Sequence, residues 1–181
     1  MIKTSFNDLK EFVSILKQQN LPYFVFGGFA IEGKRGKIVR EHGDIDICCL
    51  EKDFEEIKIL LENLGYTFFE NVNDLKKFMQ GTASIDLCLL KKEIEEFSCN
   101  LRFVNVKFPS SWFFNSDKVV IENFEFNVAC NEIIKKDGLN SKYKEDIDFV
   151  KTLPVDNNKM LLYKVKKLPE SMKIPLGVKI V

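Results

Sequence analysis

The sequence predicts one α/β domain of the α+β kind, and three segments carry that expectation. Tyr23-Phe24-Val25-Phe26 is a short apolar run broken by Gly27-Gly28, after which Phe29 to Arg35 suits a helix, so this stretch reads as strand, glycine turn, helix. Asp44 to Leu50 alternates at first and then becomes wholly apolar, as a strand does when it enters a covered sheet from an exposed end. Ser84 to Leu90 repeats that pattern with one Asp near its start and belongs in the same sheet.

The other elements follow in order. Phe6, Leu9, Phe12, Val13 and Leu16 recur at helical spacing behind Ser5 or Asn7 as cap, which predicts an opening helix ending near Asn20. Lys52 to Asn63 places Phe54, Ile57, Leu60, Leu61 and Leu64 on one helical face, with Gly65 as the stop and Tyr66 to Phe69 as the next strand. Leu101 to Phe108 and Val119 to Val128 are β-rich, the second folding into a hairpin at Glu122-Asn123. Ala129 to Lys136 and Lys142 to Leu153 suit helices separated by Asp137-Gly138, and Pro154 ends the second. Residues 1–153 then form the domain, and the lysine-rich residues 154–181 a small helical or extended appendage.

At 181 residues the chain can bury a substantial core but not build a second full domain. Lys+Arg and Asp+Glu balance at 27 each, so no global positive field gathers phosphate backbones, and duplex nucleic acid is not the default partner. The 5 cysteines form an odd set without a CxxC pair, which suits reduced thiols in a cytoplasmic protein; three lie in strand-like runs as small hydrophobes. With a single His, a zinc site would depend on scattered thiols and is discounted. The opening residues hold no long apolar run, so neither a secretory signal nor a membrane span is expected. The 17 phenylalanines predict a well-filled core, and a cleft lined by aromatic rings is the sharper alternative.

Two aspartates at i and i+2 on a strand project to one face, so Asp44 and Asp46 present their carboxylates together at a sheet edge. Asp86 on a neighbouring strand adds a third. Three crowded acids repel, and a divalent cation such as Mg²⁺ removes that cost while joining them to substrate phosphates. Gly27-Gly28, ending a strand and opening a helix, lets backbone approach a phosphate while helix N–H groups point at its charge. A DxD or a glycine turn alone is common; together they describe a site for a nucleoside triphosphate and its metal.

Gly27-Gly28-Phe29-Ala30-Ile31-Glu32, Gly36, and Arg40-Glu41-His42-Gly43-Asp44-Ile45-Asp46-Ile47 resemble the signature of the aminoglycoside and lincosamide nucleotidyltransferases, with gap-free spacing from glycines to aspartates. That pattern runs roughly GGWAID, three residues, GRxTRxHxDIDL. Phe29 stands here for Trp, Glu32 for Asp, Lys37 for Arg and Val39 for Thr, the last losing a hydroxyl. The resemblance spans about residues 20 to 153 and implies the polymerase-β-like fold, a mixed sheet flanked by helices. It implies transfer of a nucleoside monophosphate, most simply from ATP with Mg²⁺, to an acceptor hydroxyl. Asp44, Asp46 and Asp86 would be the catalytic and metal-binding carboxylates, with Asp86 taking the acceptor proton. The family's late helix often reads R-x-K-D-x-x-D, which Lys142 to Asp148 matches conservatively, so Lys142 and Lys144 either face the phosphates or form a solvated helix face. Arg40 is expected to touch the triphosphate or brace an aspartate, and His42 to support the geometry rather than act as base.

The resemblance favours a small acceptor such as an aminoglycoside or lincosamide. The wider superfamily also contains enzymes, some of them toxins, that modify transfer RNA or proteins. A non-catalytic nucleotide- or metal-binding module is the rival from another class. It would bind nucleotide with Mg²⁺ and release no pyrophosphate.

Overall fold

The computed structural model describes residues 3–101 and 104–168. Parts of two expectations, residues 102–103 of the β-rich stretch and 169–181 of the lysine-rich tail, lie outside the described residues. Helix α1 (Phe6–Gln18) is set by Ser5 rather than Asn7: the Ser5 hydroxyl accepts from the Asp8 N–H, and the Asp8 carboxylate accepts from the Ser5 N–H. This reciprocal cap satisfies two donors that a helix start would otherwise leave open. Leu9, Phe12, Val13 and Leu16 form its buried face, as their spacing predicts.

The chain continues through β1 (Tyr23–Phe26), α2 (Gly27–Arg35), β2 (Ile45–Leu50), α3 (Phe54–Asn63), β3 (Thr67–Val72), β4 (Leu75–Gln80) and β5 (Ala83–Lys92). Then come β6 (Glu96–Leu101), β7 (Val104–Pro109), α4 (Ser110–Phe114), β8 (Asp117–Ile121), β9 (Phe124–Val128), α5 (Asn131–Gly138), α6 (Lys144–Thr152), α7 (Asn157–Met160) and β10 (Lys164–Lys167). The sheet is mixed. One arm runs β3-β4-β5-β2-β1-β9-β8 and a second runs β5-β6-β7-β10, so the long strand β5 belongs to both. Strands β2 and β5 are parallel, as are β1 and β9; the other pairs are antiparallel.

Several boundaries differ from the expectations for physical reasons. Strand β4, LKKFMQ, lacks the run of apolar residues that marks a covered strand; pairing with β3 and β5, not its own pattern, makes it a strand. Helix α5 runs on through Asp137-Gly138 instead of stopping before them. Gly138 is buried there, where an added Cβ would stand 2.6 Å from Val150 Cγ1, so this glycine serves helix packing rather than a break. The expected hairpin turn stands: Glu122 and Asn123 both adopt positive φ, 49° and 64°, as a two-residue turn between twisted strands requires. Beyond Pro154, α7 leads to β10, which pairs antiparallel with β7.

The phenylalanines fill the interior. Phe12, Phe24, Phe29, Phe78, Phe97 and Phe126 are fully buried, each worth roughly 1.5–3 kcal/mol of apolar burial. No helix among the described residues is long and apolar enough to cross a membrane.

Candidate active site

The strand register builds the site. Phe26 of β1 lies opposite Asp46 of β2, Asp46 lies beside Asp86 of β5, and Asp86 lies opposite Lys77 of β4. These four residues therefore form one row across four strands, and side chains at paired positions project to the same face. Asp44 precedes β2 by one residue, yet its carboxylate joins the group: single oxygens of Asp44, Asp46 and Asp86 all lie within 4.8 Å of one another. The structure thus brings the three aspartates together at the edge where β1 ends and β2 and β5 begin.

Crowding shows in their electrostatics. The Asp46 carboxyl is raised well above the usual carboxylate range, first by burial and then by the charges of Asp44 and Asp86, while Lys77 pulls the other way. Lys77 Nζ stands 2.9 Å from Asp86 Oδ1, and the Lys77 side chain is only 16% exposed. Sequence reasoning did not reach Lys77, because the strand that carries it has no legible apolar pattern.

The glycine pair is fitted to the acids and to their neighbours. Gly27 adopts φ +62, and a Cβ on it would lie 2.1 Å from Asp46 Oδ2. A Cβ on Gly28 would lie 2.5 Å from His42 Nδ1 and 2.8 Å from Arg40 Nη2. Both glycines are therefore needed to let side chains close over the start of α2, in addition to any approach of a phosphate.

His42 is buried and stacked on Phe29 with ring centroids 4.1 Å apart, and its Nε2 lies 3.4 Å from Oε1 of the fully buried Glu32. It belongs to a packed layer behind the carboxylates. Arg40 gives two donors to Asp146 Oδ2, Nη2 at 2.8 Å and Nε at 3.2 Å, and lies over the Tyr143 ring. Arg35 Nη1 approaches Asp146 Oδ1 at 3.3 Å. Asp146 is 1% exposed, so two arginines and one acid tie α2 and the loop before β2 to α6. Lys144 pairs with Asp148 on the exposed face of α6, and Lys142 Nζ stands 5.1 Å from the Tyr143 ring centroid.

A pocket of about 160 Å³ opens beside Gly27 and Gly28, with Ile31, Arg40, Asp137 and Ser141 among its lining. Among the described residues, no aromatic ring lines it. Asp137 is a further acid that sequence reasoning passed over as part of a helix break; its charge is felt at Asp46, and burial raises its carboxyl to about 6 although Tyr163 Oη donates to it at 3.0 Å. Nothing in the spacing links position 137 to the aspartates of β2 and β5, since only the packing of α5 brings it there. The cysteines stay out of the site chemistry: Cys48, Cys49, Cys88 and Cys99 are buried, and burial pushes Cys48 up to about 11.

Comparison with known proteins is consistent with this geometry. The family model described as aminoglycoside-2''-adenylyltransferase matches residues 8–125. A 2''-aminoglycoside nucleotidyltransferase from Escherichia coli is 32% identical over 56 residues, 31% of this chain and 32% of that protein. Another from Klebsiella pneumoniae is 30% identical over 57 residues, 32% of each chain. The match thus spans about a third of the length of these curated relatives. Among solved structures, the lincosamide antibiotic adenylyltransferase LnuA with lincomycin bound superposes with TM-score 0.67 at 17% identity, covering 84% of this chain and 99% of that one. ANT(2'')-Ia in complex with adenylyl-2''-tobramycin gives TM-score 0.66 at 19% identity, covering 80% and 86%. At these identities the two structures show a shared fold, which is the mixed sheet expected for a nucleotidyltransferase.

Proposed function

Because the chain belongs to the aminoglycoside-2''-adenylyltransferase family, we propose that it transfers a nucleoside monophosphate from a nucleoside triphosphate, ATP by preference, to a hydroxyl of an aminoglycoside or lincosamide. The observation that carries this reading is the meeting of Asp44, Asp46 and Asp86 within 4.8 Å beside the Gly27-Gly28 turn.

The residues fit a hard divalent cation such as Mg²⁺. They offer carboxylate oxygens only, and the raised Asp46 carboxyl records a negative charge that the protein itself leaves partly uncompensated. Asp44, Asp46 and Asp86 would hold the ion, which when bound supplies positive charge to the triphosphate and to the leaving pyrophosphate. The chain does the rest by placement. The start of α2 at Gly27-Gly28 directs backbone N–H groups toward the phosphates. Asp86 accepts the proton of the acceptor hydroxyl as its oxygen bonds to the α-phosphorus; the bond from that phosphorus to the bridging oxygen breaks and pyrophosphate leaves. Arg40, tied to Asp146, holds α6 against the pocket, and the exposed Lys142, just before that helix, and Lys144, its first residue, would offer positive charge to the phosphates.

The test is transfer of label from nucleoside triphosphates, with Mg²⁺, to a panel of aminoglycosides, a lincosamide and total transfer RNA. The Asp44→Ala/Asp46→Ala double variant is the control. Label moved to an antibiotic by wild type alone supports the reading and names the acceptor. Label on transfer RNA alone would replace the acceptor class, and metal-dependent nucleotide binding without pyrophosphate release would make the chain a binding module.

A further inference from the structure

We propose that the ammonium of Lys77 takes the place of a second divalent cation at Asp86, so that the chain works with one ion on its carboxylate group. The inference rests on the nucleotidyltransferase reading and deepens it.

Sites that transfer phosphoryl groups often clamp the attacking and leaving oxygens between two divalent ions roughly 3.5–4 Å apart. Here one of the three carboxylates already has a cation. Lys77 Nζ is 2.9 Å from Asp86 Oδ1, an ion pair between sheltered side chains. The contact is built into the sheet: β4 pairs with β5 so that Lys77 stands directly opposite Asp86, with the neighbours Lys76 and Phe78 opposite Leu87 and Ile85. A one-residue slip would turn the amine to the other face and turn buried Phe78 outward, so the register that fills the core also fixes the amine.

Burial makes the ammonium hard to displace. The side chains of Lys77 and Asp86 are 16% and 8% exposed, so a second ion on Asp86 would have to expel a sheltered charge or sit beside it. Two cations a few ångströms apart under low exposure repel strongly. The first ion takes two of its ligands from Asp44 and Asp46 and shares Asp86 with the ammonium rather than replacing it. In the register Glu70 of β3 lies on the far side of Lys77, so the order across the sheet is acid, acid, amine, acid. In this row the lysine is a positioning residue: it holds Asp86 toward the carboxylate group while supplying one positive charge where a second ion would supply two.

The experiment counts ions rather than turnover. Mn²⁺ is titrated into protein saturated with α,β-methylene ATP, which cannot release pyrophosphate, and bound ions are counted from the loss of the electron paramagnetic resonance signal of free aqueous Mn²⁺. Wild type and Lys77→Arg are expected to hold one ion per complex, and Lys77→Met two. Two ions in wild type, or a single ion in a folded Lys77→Met, overturns the inference while leaving the nucleotidyltransferase reading in place. No ion held by wild type with the nucleotide analogue present defeats that reading and this inference with it. If Lys77→Met does not fold, the wild-type count decides alone.

Discussion

Gly27 and Asp46 claim the same space: a Cβ built on Gly27 would stand 2.1 Å from Asp46 Oδ2. The turn that opens α2 and the central carboxylate of the site are thus one fitted unit, and the positive φ of Gly27 adds a second reason for glycine. Gly27→Ala should lower stability by about 1–2 kcal/mol for the left-handed backbone alone. It should also push Asp46 out of the carboxylate group, so Mn²⁺ affinity should fall by at least tenfold. Urea melts and Mn²⁺ titration separate the two effects. A variant that loses stability while binding Mn²⁺ as wild type does would show that the glycine serves only the backbone.

Thr4 joins the approaches to both acidic strands. Its hydroxyl donates to the Gly43 carbonyl at 2.9 Å and accepts from the Ser84 N–H at 3.0 Å, and its own N–H donates to the His42 carbonyl at 2.9 Å. Thr4→Val keeps the shape and leaves the buried Ser84 N–H and the part-buried Gly43 carbonyl without the hydroxyl. The expected cost is about 1–3 kcal/mol, read as a lower urea midpoint with an unchanged slope. Because Gly43 and Ser84 precede Asp44 and Asp86 closely in the chain, the KM for nucleotide should rise with it. An unchanged urea midpoint would remove this residue from the account.

Most of the site's backbone was legible in sequence because its signals are local. Gly27-Gly28 and the i, i+2 aspartates each lie within a single element, and periodicity of 2 tells which face a strand residue takes. Asp86 was reachable because its strand repeats the pattern of the first. Lys77 and Asp137 were not. Lys77 sits on a strand whose sequence alternates poorly, and its meaning comes from a register partner nine residues away. Asp137 depends on how α5 packs back on α2, a long-range fact with no sequence period. Arg40 was read as a phosphate contact or a brace for an aspartate, and the structure ties it to Asp146, an acid inside the Lys142 to Asp148 segment to which sequence reasoning assigned no role of its own.

Asp137 makes stability depend on pH. Its carboxyl is raised from 3.8 to about 6, chiefly by burial. The folded chain therefore holds this proton more tightly than the unfolded one, so the stabilisation is full below about pH 4 and is lost as pH rises through about 6. The loss is at most ~3 kcal/mol. Asp137→Asn removes the ionisation and can still accept from Tyr163. The Tm of the variant minus that of wild type should grow between pH 4 and pH 7, and a difference constant over that range would refute the assignment.

Arg40 and Asp146 test what holds the pocket together. Asp146 is 1% exposed and receives both Arg40 and Arg35, so Asp146→Asn leaves the sheltered Arg40 guanidinium short of its acid, while Arg35 keeps Glu32 at 3.4 Å. Breaking a buried pair from one side costs ~3–5 kcal/mol. Removing Arg40 as well should return part of that loss, because the stranded charge goes with it; the double-mutant cycle of Arg40→Met and Asp146→Asn should therefore show a coupling of about 1 kcal/mol or more. Nucleotide affinity tells brace from phosphate ligand. If Arg40 acts by holding α6, the two single variants should weaken binding of ATP to a similar degree, since either one frees the helix. If the guanidinium also meets the phosphates, Arg40→Met should weaken binding well beyond Asp146→Asn, and that gap should narrow as salt is raised, because a charge contact to a phosphate is screened while helix docking through packing is not.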